Sequence, residues 1–317
     1  MVYKKDIRLM AFVVSAMFWG SGHAADNTIY IDQSGDNTSI TMTQDGSGNK
    51  VKGILANGNA GNTTDPSVLI GNNQTIAINQ VGQNNVLSMG IQTTIGANGK
   101  GIDLNYSAIN GGNIAIINSN NSGSGTSAGN VAAFTHSGGG AITTLDLLGS
   151  NNQLSVTTAG GANNKFTGTI NANETNVTVN QTSGGGNETT LNLTGNKGQI
   201  NITTVGATNI TNITQSASGT NGAQVILDIT GSGNSTTVTQ SGLFDHYANI
   251  KLNAGSDSNT ITLSQSGGSG SGHSATIELL AGSSTNTIGV TQQGTVANLL
   301  NMKVSGSSNT YSITQKN

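Results

Sequence analysis

Apolar and polar residues alternate in short bursts along this chain, and the bursts end on glutamine. The unit is a polar residue, five alternating residues and Gln, often with Gly two positions later. It runs from Asn27 to Gln33 with Gly35, from Thr38 to Gln44 with Gly46, and from Gln74 to Gln80 with Gly82. It returns from Thr175 to Gln181, Asn209 to Gln215, and Asn234 to Gln240 with Gly242. Asn259 to Gln265 with Gly267, Asn286 to Gln292 with Gly294, and Asn309 to Gln315 complete nine copies at one internal spacing. Repetition of this kind sets the architecture before any local detail does.

A period of two predicts strands with one buried face. In the unit from Asn259 to Gln265, Ile261 and Leu263 share a face with both amides, while Thr260, Thr262 and Ser264 share the other. A buried amide is costly unless its hydrogen bonds are made. Identical amides directly above and below remove that cost by forming ladders. The repeat therefore predicts strands stacked in register, with Asn27, Gln33, Gln44, Gln80, Gln181, Asn209, Gln215, Asn234, Gln240, Asn259, Gln265, Asn286, Gln292, Asn309 and Gln315 as ladder positions.

Strands without Gln lie between, at Ala223 to Ile229, Ala248 to Leu252 and Ala275 to Leu279. Asn209, Asn234 and Asn259 stand 25 residues apart, Asn286 a further 27 and Asn309 a further 23. The expected fold is all-β, a β-solenoid with two short strands per coil of about 25 residues, joined by Gly-rich turns. Gly35, Gly46, Gly82, Gly242, Gly267 and Gly294 are the turn glycines, expected at positive φ. Residues 25–317 make about 12 coils on this count, a rod of about 55–60 Å at one strand spacing per coil.

The middle is degenerate. Asn130 to His136, Asn152 to Thr158 and Gln199 to Val205 fit the frame with His, Thr and Val in place of Gln. Residues 51–73, which hold the lone Pro66, and 86–128 fit poorly and read as irregular coils of one repeat domain, 25–317.

Composition sharpens this picture in two places. Residues 1–24 read as a secretory signal peptide: Lys4, Lys5 and Arg8 open it, Leu9 to Trp19 is apolar, and Gly22-His23-Ala24 offers small residues for cleavage. Its removal takes away three cations and one anion, moving the formal charge from −3 to −5. What remains has no Arg, Trp or Cys. That leaves no basic footprint for nucleic acid and no disulfides, so backbone pairing and side-chain stacking must hold the fold.

Catalytic and ligand chemistry is not legible. His136, His246 and His273 are isolated from Cys and Glu at metal-ligand spacing and read as surface or ladder residues. Gly184-Gly185-Gly186 lacks the Lys of a phosphate loop, and the Gly/Ser run from Gly267 to His273 lacks the Asp of calcium-binding rolls. No Ser stands in a nucleophile-elbow context. No enzyme, cofactor, metal or small-molecule substrate is expected.

The run Thr38 to Gln44, Gly46, Gly48, Asn49 resembles the curlin repeat of bacterial curli fibre subunits. Gln80-Val81-Gly82 through Asn85 is similar, as is Asn27 to Gln33 through Asn37. The resemblance covers residues 27–49, 74–85 and 175–317. It departs in carrying Gln on both strands of a coil only at Gln33 and Gln44, and in lacking a polar segment between leader and first repeat. It implies a secreted bacterial subunit that polymerises head to tail into extracellular amyloid fibres for biofilm and adhesion. It also implies a nucleator subunit and an outer-membrane export pore as partners. Two other classes compete: a surface solenoid adhesin that stays discrete, and an ice-binding solenoid using pairs such as Thr41/Thr43, Thr237/Thr239 and Thr260/Thr262. Asn212, Gly289 and Ser312 interrupt those pairs.

Overall fold

In a computed structural model, residues 27–34, 39–54, 61–62, 64–70, 75–93, 103–108, 114–121, 131–136, 142–148, 153–159, 165–171, 176–182, 185–193, 198–217, 224–267 and 272–317 are described. Strands between 91 and 148 are described by their backbone pairing alone. Residues 1–24, expected to be a leader, and Gly35, expected in a turn, lie outside the described residues.

The chain is an all-β parallel solenoid with coils about 25 residues apart. Among the described residues the strands form two sheets, one of 14 strands and one of 11, and from Ser67–Ile70 onward successive strands alternate between them. Every pairing is parallel, and strands stack on the strand one coil away. At about 4.8 Å per step the 11-stranded sheet is about 50 Å from first to last strand.

The alternation in sequence is the reason the sheets face each other. In Thr260–Gly267 the residues Ile261, Leu263 and Gln265 are buried. In Ser274–Leu279 they are Ala275, Ile277 and Leu279. Residues from both sheets form one apolar core running from Val51 to Val304. Each fully buried aliphatic side chain contributes about 1.5–3 kcal/mol.

Three expectations change. First, the described strands between 86 and 121 are regular at the backbone. Val86–Thr93, Asp103–Ala108 and Ile114–Asn121 pair residue for residue with their neighbours. Second, Pro66 marks an excursion inside one rung, not an irregular coil throughout. Lys50–Lys52 and Ser67–Ile70 both pair with Val86–Thr93, and the loop between them is tied by Gly53 N–H to the Asp65 carbonyl at 2.7 Å. Gly90 makes room for this excursion, because a Cβ there would meet the Ile54 side chain at 2.6 Å.

Third, the frame read from Gln199 to Val205 is off by one. Gln199–Thr204 pairs with Asn176–Gln181 so that Thr204 sits over Gln181. Ile200 and Ile202 are buried and carry Thr204 inward with them. A one-residue shift would turn both isoleucines to water, so the apolar pattern decides the register over the leading Gln.

Candidate functional site

The chemistry of this protein is concentrated in its polar ladders. Asn residues stand at the corner leading into the 14-stranded sheet. The Asn209 side-chain oxygen accepts the Asn234 backbone N–H at 3.0 Å and its side-chain N–H at 3.1 Å. Asn234 does the same for Asn259, Asn259 for Asn286, and Asn286 for Asn309. The side-chain nitrogens of Asn209, Asn234, Asn259 and Asn286 also donate to a turn carbonyl of the next coil, as Asn259 does to Ser283 at 2.8 Å. At the other end Asn27 accepts from Asn49, and Asn49 from Asn85. Asn49 and Asn85 were not singled out as ladder residues, and both are fully buried.

Asn187 joins the same column, its side-chain oxygen accepting the Asn209 N–H at 3.2 Å. The residue before each of Asn49, Asn85, Asn187, Asn209, Asn234, Asn259, Asn286 and Asn309 is in the left-handed region: Gly48, Asn84, Gly186, Thr208, Gly233, Ser258, Thr285 and Ser308. That turn aims the Asn side chain along the fibre-like axis of the stack. Glycine and asparagine tolerate this region best, whereas the β-branched Thr208 and Thr285 hold it at a cost.

Glutamines form the second ladder. Gln215 donates to Gln240 at 2.9 Å, Gln240 to Gln265 at 2.9 Å, Gln265 to Gln292 at 2.8 Å and Gln292 to Gln315 at 2.7 Å. Each also reaches across the corner to the opposite sheet: Gln240 to the Gln224 carbonyl, Gln265 to Tyr247, Gln292 to Ser274 and Gln315 to Leu299. Glutamine thus stitches coil to coil and sheet to sheet.

The Gln column is not continuous. Gln44 donates to Gln80 at 2.7 Å in the 11-stranded sheet, where Gln181 also lies. Gln215 to Gln315 lie in the 14-stranded sheet. Gln181 is flanked in register by Thr158 and Thr204, so its buried side-chain oxygen takes no hydrogen bond among the described residues. Gln33 belongs to Ile31–Ser34, opposite Leu69 in the 14-stranded sheet, while Gln44 stands across the coil from it.

Gly46, Gly82, Gly242, Gly267 and Gly294 all have positive φ. At Gly46 the need is double, since a Cβ would also strike the Gly82 carbonyl oxygen one coil away.

His246 and His273 join the ladders at the corner leading into the 11-stranded sheet. Both are buried, and their rings stack at 5.2 Å and 18°. Nε2 of His246 donates to the Ser241 carbonyl and Nε2 of His273 to Ser266, each at 2.9 Å. Nδ1 of His246 accepts the His273 N–H at 3.0 Å, and Nδ1 of His273 accepts the Asn298 N–H at 3.1 Å. Burial holds His246 below its ordinary value near 6.5, helped by its neighbour His273 and opposed by the Ser241 carbonyl and Asp245. His136 is placed by backbone only, between Ala108 and Thr158.

Among the described residues no group of His, Asp or Glu is placed to hold a metal ion. A shallow groove of about 170 Å³ crosses the outer face of the 11-stranded sheet, lined by Asn176, Thr178, Gln199, Asn201 and Gln224 and by no titratable side chain. The outward threonine rows are broken as the sequence indicated, Thr262 standing on Gly289 and Gly289 on Ser312. No family model, no curated protein and no solved structure matches this chain.

Proposed function

We propose that this protein is a secreted structural subunit that adds head to tail to copies of itself, building a curli-like extracellular fibre for biofilm and adhesion. The observation that carries the reading is the match between its two edges. Thr310–Lys316 and Thr28–Ile29 lie at opposite ends of the same sheet and belong to the same motif, Asn309 to Gln315 and Asn27 to Gln33. The ladders run one way, each Asn oxygen accepting from the coil that follows it in sequence. A copy whose Asn27 sits on Asn309 continues that direction. Tyr311 then meets Ile29, Ile313 meets Ile31 and Gln315 meets Gln33. In the other sheet Leu300 and Met302 meet Ile40 and Met42.

Both edges carry apolar surface that such an addition covers. Tyr311, Ile313, Leu300 and Met302 are only partly buried, whereas Ile288, Val290, Ala275 and Ile277 one coil inward are fully so. Ile29 is 42% exposed at the opposite edge. Closing these contacts is worth on the order of 1 kcal/mol per half-exposed side chain, in addition to the strand pairing that an open edge invites. A nucleator subunit and an export pore are the partners this role calls for.

Strand polarity names the variant that tests it. Thr287 N–H donates to the Asn309 carbonyl one coil on, so the N–H groups of Thr310, Ser312 and Thr314 point to the open edge. Ser312→Pro removes an edge donor and spares the internal ladder. Elongation from wild-type seeds is expected to fall at least about tenfold, the factor that loss of about 1.4 kcal/mol per addition gives. Unchanged elongation by a folded Ser312→Pro variant contradicts the proposal.

A further inference from the structure

We propose that the His246–His273 stack is an acid-released clasp, holding the coils from Ser241 to Val304 closed at neutral pH and loosening them in mild acid. The two imidazoles occupy the place an asparagine holds elsewhere. Asn298 stands at the same corner one coil on, and its side-chain nitrogen donates to the Gln293 carbonyl at 3.1 Å. Asn49, at the opposite corner, donates to the Asp45 carbonyl and accepts the Asn85 N–H. Each of these side chains offers one donor to its own turn and one acceptor to the next coil. Neutral imidazole with its proton on Nε2 does both, as His246 and His273 do.

The difference is that imidazole titrates and an amide does not. A proton on Nδ1 replaces the acceptor of a backbone N–H with a second donor, so the link to the next coil breaks. A second proton puts two positive rings 5.2 Å apart in a buried stack. Asp245 is the acidic group beside them, and it acts against the switch. Of the strands packed there, Tyr247–Leu252 carries Lys251, Ser274–Leu279 carries Glu278, and Leu299–Val304 carries Lys303. Lys303 is paired with Glu278 at 3.1 Å on the outer face, away from the rings.

The sign follows from the depressed His246. The unfolded chain binds protons more readily, so the clasp is whole above pH 6.5 and its contribution is lost progressively as pH falls below that value. The clasp does not depend on the fibre reading; where fibres form, acid would loosen the coils that carry the Thr310–Lys316 edge.

The test is hydrogen exchange by mass spectrometry on the full chain at pH 7.5 and pH 5, corrected for intrinsic rates and read separately for 241–304 and 75–93. Exchange in 241–304 is expected to rise at pH 5, reversibly, while 75–93 holds, because the depressed His246 takes its proton more readily once its coil is open. The His246→Asn/His273→Asn variant is expected to remove the rise. Equal protection of 241–304 at both pH values, or the same rise in the folded double variant, overturns the clasp. Should the double variant not fold, ¹⁵N spectra of the wild-type imidazoles decide. Unprotonated Nδ1 on both rings at pH 7.5, with His246 titrating below 6.5, supports it; His246 titrating at or above that value overturns it.

Discussion

Gln265→Ala removes the middle rung of the Gln ladder, and the structure gives its cost. The Gln265 side-chain nitrogen donates to the Tyr247 carbonyl at 3.0 Å, the His273 carbonyl at 3.0 Å and Gln292 at 2.8 Å, while its oxygen accepts from Gln240 at 2.9 Å. Gln265, Gln240, Gln292 and His273 are fully buried. Truncation takes the donor from the buried Gln292 side-chain oxygen and the acceptor from a buried Gln240 side-chain N–H, at about 1–3 kcal/mol each, and removes about 1 kcal/mol of packing. The expected loss is about 3–5 kcal/mol. Gln315→Ala makes the same chemical change at the partly exposed outer rung, where water replaces the amide, and should cost about 1 kcal/mol. Repeat stacks open locally, so the assay is native-state hydrogen exchange on the coils flanking each site rather than one global midpoint. Equal costs at Gln265 and Gln315, or a cost below about 1 kcal/mol at Gln265, would refute the ladder as the source of stability.

Asn259→Asp replaces a nitrogen that donates to Asn234 and Ser283 with a carboxylate that has nothing to donate. We expect a loss of about 3 kcal/mol or more at neutral pH, partly recovered relative to wild type as acid protonates the buried carboxyl and restores one donor; melting curves at pH 7 and pH 4 check the direction. Thr285, a β-branched residue at φ 56°, sits where glycine precedes other ladder asparagines, so Thr285→Gly should stabilise by about 0.5 kcal/mol, the backbone relief outweighing the entropy glycine loses. Gly46→Ala should cost about 2 kcal/mol or more, from strain at φ 98° plus the contact with Gly82; denaturant titration of the two variants should move in opposite directions.

The coil, its two strands and its inward amides were legible because period-two alternation and a fixed Asn-to-Gln spacing leave one stacking solution. Ile261 and Leu263 could only be buried together with Asn259 and Gln265. The change of sheet by the Gln column was hidden because the motif is the same seven residues whichever sheet it enters. The clue lay in what surrounds it: Asn49 follows Gln44 into a corner, whereas Asn259 precedes Gln265. The regular pairing of Val86–Thr93, Asp103–Ala108 and Ile114–Asn121 was hidden because backbone pairing does not require the amide motif, only alternation such as that of Leu87 and Met89. The left-handed residue before each ladder Asn had a signal in the recurrence of Gly, Ser or Thr there, visible only once the Asn column is aligned. The pairing of His246 with His273 depended on turn lengths that differ by coil, since His246 follows Gln240 by six residues and His273 follows Gln265 by eight.

The most direct measurement is seeded assembly. Residues 25–317 are diluted from denaturant and an amyloid-dye signal is followed with and without preformed seeds. The account predicts a lag that seeds abolish, because an exposed Thr310–Lys316 edge templates the next Asn27 strand. A folded monomer that persists and ignores seeds would contradict it.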